Sequence, residues 1–197
     1  MNRDALESIF SAALDRVDPV RMITDCVSLA GDTLTVSSAD DERSFDLAAF
    51  RSIRVVGAGK AGAKMAAGLE HVLGDRIESG AVAVKYGHTE PLQYVELIEA
   101  GHPVPDDQSV TAARRIAEIA DAADEKTLVI TLISGGGSAL LTLPYEDDGH
   151  TITLDDIQAT TKLLLECGAP IQEINTVRKH LSGISGGRFC KRLEPAT

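Results

Sequence analysis

The sequence predicts an α/β protein: a mostly parallel sheet with helices on both faces, preceded by a small hairpin. Three observations predict it. From Arg54 onward, short runs rich in Val, Ile and Leu alternate with segments of helical periodicity, the pattern of strand–helix–strand units. Two of the runs lead straight into glycine-rich turns, Gly57-Ala58-Gly59-Lys60-Ala61-Gly62 and Ser134-Gly135-Gly136-Gly137-Ser138. The 197 residues are 44% apolar but only 4% aromatic, enough for the aliphatic core of one domain.

Asn2 to Val17 is expected to be an amphipathic helix, with Leu6, Ile9, Phe10, Ala13, Leu14 and Val17 on one face and Pro19 ending it. Val27–Ala30 and Thr33–Val36 flank Gly31-Asp32 as a hairpin, and polar Asp40–Arg43 forms a loop. Arg54–Val56 is a strand, and the helix after its glycine turn buries Ala61, Met65, Leu69 and Leu73. Gly80–Val84 and Val95–Ala100 are strands. Gly101–Asp106 must be an extended loop, because its two prolines forbid a helix. Ser109–Ala122 is helical, capped by Ser109 or Asp107. Leu128–Ile133 is a buried central strand.

Pro144–His150 is expected to be a polar loop. Thr153 and Asp156 form a capping box for a helix burying Ile157, Thr161, Leu164 and Leu165, which Gly168 ends. Pro170 suits the first turn of another helix with Ile174, Val177, Leu181 and Ile184 on one face, and Gly186-Gly187 starts a second turn or helix cap.

Composition excludes several functions. A net charge of −11 argues against nucleic acid and anionic membranes as partners. Three scattered cysteines make neither a disulfide framework nor a cysteine-based zinc site, and fit a reducing compartment. The N-terminus is not a signal peptide and no run reaches transmembrane length, so a cytoplasmic protein is expected.

The glycine turns carry the chemistry. Three consecutive glycines suit neither a strand nor a helix interior, but they let backbone N–H groups converge on an anion, beside a helix starting at Ser138. Gly57–Gly62 matches G-x-G-x-x-G, yet the next strand ends in Lys85 where a dinucleotide site expects an acid, although a lysine there would suit a 2′-phosphate. Lys60 stands inside that turn, at a helix start, where a cation works against the dipole unless an anion lies between them. Asn175, Arg178, Lys179 and Ser182 share one helix face, which suits a phosphate or carboxylate and equally an ordinary solvated face. A loop histidine such as His88 has no partner in sequence to make it a ligand.

Four motifs in order, GAGKAG at Gly57–Gly62, AGHPVPD at Ala100–Asp106, SGGGSAL at Ser134–Leu140 and NTVRKHLS at Asn175–Ser182, resemble the glycerate 2-kinases, some of which carry the label hydroxypyruvate reductase. The resemblance runs from about Ala5 to Arg188. It implies a Rossmann-like N-terminal domain at residues 1–197, without the family's C-terminal domain, and an active site in the cleft between the two. It implies transfer of a phosphoryl group from ATP, with Mg²⁺, to the 2-hydroxyl of D-glycerate. In that scheme Lys60 and Arg178 are catalytic, and Gly57, Gly59, Ser134, Gly135, Gly136, Gly137 and Ser138 hold phosphates. Asn175, Lys179 and Ser182 bind substrate. No metal ligand can be named, with Asp106 and Asp107 as weak candidates. Ser185 stands where the family usually has a lysine. Self-association or pairing with a C-terminal domain is expected. The alternatives are an NAD(P)-dependent hydroxypyruvate reductase and a non-catalytic nucleotide-binding fragment.

Overall fold

The computed structural model describes residues 2–147 and 149–197. Helix α1 (Arg3–Arg16) is capped by Asn2, whose side-chain oxygen accepts from the N–H of Asp4 at 2.6 Å. Its apolar stripe is present but covers nothing: Ile9 is 61% and Phe10 65% exposed. Pro19 was expected only to end this helix; it also begins α2 (Pro19–Cys26). Asp18 caps α2, and proline's missing N–H is harmless in the first turn. Strands β1 (Val27–Ala30), β2 (Thr33–Ser37) and β3 (Glu42–Asp46) then form an antiparallel meander. The hairpin over Gly31-Asp32 matches expectation. The loop expected at Asp40–Arg43 does not, since Glu42 and Arg43 belong to β3. An edge strand tolerates such polar residues when one side chain, here Phe45, packs inward.

The main sheet consists of β4 (Ser52–Ala58), β5 (Ile77–Lys85), β6 (Val95–Ala100) and β7 (Thr127–Ile133). All are parallel, in the order β6-β5-β4-β7. Helix α3 (Gly62–Leu73) links β4 to β5 and covers one face, packing with Val55, Val82, Val84, Leu128 and Leu132. Helix α4 (Asp107–Asp121) links β6 to β7 and covers the other, with Ile116 and Ile119 against Val56, Ala81 and Ala83. Burial on both faces is why these strands read as continuous apolar runs. The cap of α4 is Asp106 rather than Ser109 or Asp107; Ser109 is its capping-box partner.

Strand β7 departs from expectation. It lies at the edge of the four strands, not in the centre, so Leu128 and Leu132 are buried while Ile133 is 62% exposed. Among the described residues, its outer edge is met only at its start. The Thr197 N–H donates to the Thr127 carbonyl (3.1 Å) and the Thr197 carbonyl accepts from the Val129 N–H (2.8 Å), the bonding pattern of a parallel pair. An apolar groove of about 480 Å³ runs beside β7, lined by Ile23, Val27, Leu34, Phe45 and Leu132 among others.

After β7 come α5 (Gly137–Leu140) and a two-stranded ribbon, β8 (Glu146–Asp147) with β9 (His150–Thr151), where a polar loop was expected; Asp148 lies outside the described residues. Helix α6 (Leu154–Glu166) has the anticipated capping box between Thr153 and Asp156, though Leu165 is exposed. Helix α7 (Ile171–Leu181) is capped by Pro170, and α8 (Arg188–Leu193) closes the chain. Ile184 lies beyond the end of α7, yet is buried on the α4 side of the sheet. Among the described residues no helix is long and apolar enough to cross a membrane.

The free edge on the opposite side of the sheet is secured by one carboxylate. Glu70, on α3, accepts from the N–H groups of Gln93 (2.8 Å), Tyr94 (2.7 Å) and Val95 (2.8 Å) where β6 begins. Charge-assisted bonds of this kind are among the stronger ones. Glu70→Ala should lower stability by about 2–3 kcal/mol in urea unfolding, with Glu70→Gln in between.

Candidate functional site

The order β6-β5-β4-β7 reverses between β4 and β7, so the carboxyl ends of these two strands form a topological switch point, where open parallel sheets bind ligands. Both glycine turns emerge there, and each needs its glycines to fit against the other. A side chain on Gly57 would collide with the Leu132 carbonyl, and one on Gly59 with the Ser134 hydroxyl. Three hydrogen bonds close the joint. The Ser134 N–H donates to the Ala58 carbonyl (3.1 Å), the Lys60 N–H to the Gly135 carbonyl (3.0 Å), and the Ala61 N–H to the Ser134 hydroxyl (3.1 Å). The Gly59 N–H is taken by the Ala83 carbonyl (3.0 Å). Gly57 and Gly59, expected as phosphate ligands, are therefore fixed parts of the joint.

The triple-glycine loop is different. Gly136 has a φ of +96°, a left-handed conformation that disfavours any side chain. The N–H groups of Gly135, Gly136 and Gly137 have no acceptor among the described residues. A small cavity of about 260 Å³ adjoins this loop, lined in part by Gly57, Ile133, Ser134, Gly137, Ser138 and Ser185.

Cations gather around it. Lys60 is exposed on the first turn, and Lys85 ends β5. Arg178 reaches across from α7 to donate to the Ser138 carbonyl at 3.0 Å; burial pulls its pKa down, but a guanidinium remains charged. These three form no ion pair among the described residues, whereas Arg51, Lys64 and Arg192 each do. In a chain of net charge −11, cations without carboxylates mark a place suited to an outside anion.

The stripe on α7 is divided by the structure. Only Arg178 bonds to the loop. Lys179 lines a separate cleft of about 350 Å³ with His180, Arg188 and Lys191, and Asn175 is exposed. Ser182, expected to bind substrate, is 6% exposed, and its hydroxyl accepts from the N–H groups of Ile184 (3.3 Å) and Ser185 (3.2 Å). It caps the turn after α7 instead, because the helix stops at Leu181 and the chain bends inward.

His102, near the loop, escaped sequence reasoning as a ligand, and Lys85 entered it only as a contact for a 2′-phosphate. Lys85 ends β5 and His102 follows the end of β6, and that placement was the available signal. Asp106 is not a free metal ligand. Its carboxylate accepts from the Tyr86 hydroxyl (2.8 Å), the Ser109 N–H (3.0 Å) and the Ser109 hydroxyl (3.0 Å). Burial pushes its pKa up, but the hydrogen bonds from Gly101, Tyr86 and Ser109 outweigh that and hold it below the usual carboxylate value. No group of three His, Cys, Asp or Glu side chains among the described residues could hold a metal ion.

Sheet order and turn geometry define a Rossmann-like three-layer α/β domain. The chain belongs to the family described as a domain of unknown function, DUF4147, which matches residues 5–197. It is 48% identical over 143 residues to the D-glycerate 2-kinase of Thermotoga maritima, a match covering 72% of this chain and 33% of that protein. An Agrobacterium vitis relative with a hydroxypyruvate reductase label is 51% identical over 142 residues, covering 72% of this chain and 36% of the relative. The crystal structure of a Pyrococcus horikoshii protein superposes with a TM-score of 0.84 at 37% identity, covering 99% of this chain and 42% of that one. The chain thus spans about a third of the length of the curated relatives it matches.

The loop geometry predicts the effect of one substitution. Any Cβ on Gly136 would lie 3.0 Å from both His102 and Lys60, in a disfavoured backbone conformation. Gly136→Val should weaken binding of a non-hydrolysable ATP analogue at least tenfold in calorimetry, while thermal unfolding shows a loss of about 1–3 kcal/mol.

Proposed function

We propose that this chain is the N-terminal, Rossmann-like domain of a glycerate 2-kinase. The reaction moves the γ-phosphoryl group of ATP to the 2-hydroxyl of D-glycerate. The observation that carries the reading is the joint itself: it holds Lys60 against a loop whose three glycine N–H groups have no acceptor among the described residues. A preorganised set of donors beside a fixed cation is what phosphoryl transfer demands, since catalysis there is mostly positioning and charge neutralisation. The names of the relatives support the choice of acceptor.

In this reading Gly135, Gly136 and Gly137 donate to ATP phosphate oxygens, with Ser134 and Ser138 at the loop's flanks. Lys60 neutralises charge on the group in flight. Arg178 steadies the loop through Ser138 and turns its remaining N–H groups to a phosphate or to the glycerate carboxylate. Asn175 and Lys179 flank Arg178 on α7 but make no hydrogen bond to the loop among the described residues, so they carry no role in this reading. The free N–H groups and unpaired cations fit a polyphosphate. They do not fit a protein-held Mg²⁺: among the described residues no group of three His, Cys, Asp or Glu side chains could hold one. Pairing with a further domain, or self-association, would close the open side of the site and exclude water from the phosphates.

The hydroxypyruvate reductase reading has the label of the Agrobacterium relative in its favour. Against it, β5 ends in Lys85, and the Gly59 N–H, which a dinucleotide pyrophosphate would need, is engaged by Ala83. A non-catalytic binding module would bind nucleotide without turnover. Calorimetry with AMP-PNP and with NADPH separates kinase from reductase: the kinase reading predicts that AMP-PNP binds and NADPH does not, and the reverse would reject it. Formation of 2-phosphoglycerate from ATP and D-glycerate separates enzyme from module. Lys60→Ala should reduce that activity by about 100-fold or more with an unchanged melting curve; full activity would remove Lys60 from the mechanism.

A further inference from the structure

The loop from Gly101 to Asp106 takes no part in the chemistry above, yet it delivers a side chain to the centre of the glycine cluster. A Cβ built on Gly136 would lie 3.0 Å from His102 Nε2, 3.0 Å from His102 Cδ2 and 3.0 Å from Lys60 Cε. The imidazole edge and the lysine stem therefore border the same glycine, whose N–H has no acceptor among the described residues. The loop is held in place. Asp106, at its end, ties it to Tyr86 at 2.8 Å and to Ser109 at 3.0 Å.

The surroundings of His102 are cationic. Lys60 faces it from the turn after β4, Lys85 from the end of β5 and Arg178 from α7. Asp106, the acid of its own loop, is turned to Tyr86 and Ser109. Burial first, then these three cations, push the imidazole's pKa below its usual 6.5. Both effects favour the neutral ring while no ligand is bound.

We propose that His102 is a direct ligand, through Nε2, of the phosphate held by the Gly135–Gly137 loop, and that it takes up one proton from solvent when that anion binds. The proposal rests on the phosphate-binding reading of the loop. A dianion among Lys60, Lys85, Arg178 and His102 reverses the sign of the local field, so the imidazolium that was disfavoured becomes favoured. The proton goes onto Nε2 and points at a phosphate oxygen; no bond to phosphorus forms or breaks. By linkage, a ligand that raises the proton affinity of His102 must bind more tightly as pH falls. His102 would supply a further cation only when an anion is present to balance it, and would spare the empty site that repulsion.

Sulfate is the suitable probe, because it remains a dianion across the relevant range and takes up no proton itself. NMR titration of the histidine Cε1–H signals, with and without sulfate, reads His102 directly. The signal missing from His102→Gln identifies it among the five histidines. The expected result is a midpoint below 6.5 in the free chain that moves upward with sulfate. Sulfate affinity should rise about threefold or more from pH 7.5 to pH 5.5 in the wild type and stay flat in His102→Gln. If sulfate shifts the Gly135–Gly137 amides while the His102 midpoint stays still, the His102 proposal is wrong and the glycine site stands. If neither sulfate nor AMP-PNP disturbs the glycine amides, both fall.

Discussion

Everything distinctive about this domain depends on the close approach of two strand ends, Ala58 to Gly59 on one side and Ser134 to Gly135 on the other. Backbone can pass this near to backbone only without side chains, which is why glycines stand at positions 57 and 59. The hydrogen bonds across the joint tie up some N–H groups, and they fix the direction of the rest. Lys60 is oriented because its own amide is held by Gly135, and the three glycine amides beyond have no acceptor among the described residues. Rigidity at the joint and unsatisfied donors beside it come from the same packing constraint.

The electrostatics follow a similar division. The chain as a whole is acidic, so its overall field repels a nucleotide or a hydroxy acid. Attraction has to be local. Most of the ion pairs are surface pairs such as Arg3 with Glu7 or Arg43 with Asp41, and contribute little. Around the triple-glycine loop the pattern changes. Lys60, Lys85 and Arg178 converge from three different elements, while the nearby Asp106 is drawn away into a capping box. Carboxylate and cation are kept apart by secondary structure, which leaves the cations available to a ligand.

Much of this was legible in the sequence. The parallel sheet followed from apolar runs alternating with helical periodicity, and both glycine turns were placed at strand ends because no other element tolerates them. What escaped had physical causes. Apolar content cannot tell a central strand from an edge strand, so β7 was placed too deep. Helical spacing put Ser182 beside Arg178, but spacing cannot see that α7 ends one residue earlier and turns Ser182 inward. Gly57 and Gly59 matched a ligand-binding pattern, while their actual constraint is contact with Leu132 and Ser134, which only the folded sheet creates. His102 and Lys85 carry no local signature; they matter because β5 and β6 end on the same side as β4 and β7.

The most direct test of the account is an amide chemical-shift map of the chain on addition of AMP-PNP. The account predicts that the largest changes fall on Lys60 and Ala61 and on Gly135 to Ser138, with smaller ones at His102 and Arg178. Changes confined to the apolar groove along Leu128 to Leu132, or to the cleft of Lys179, Arg188 and Lys191, with both glycine turns undisturbed, would contradict it.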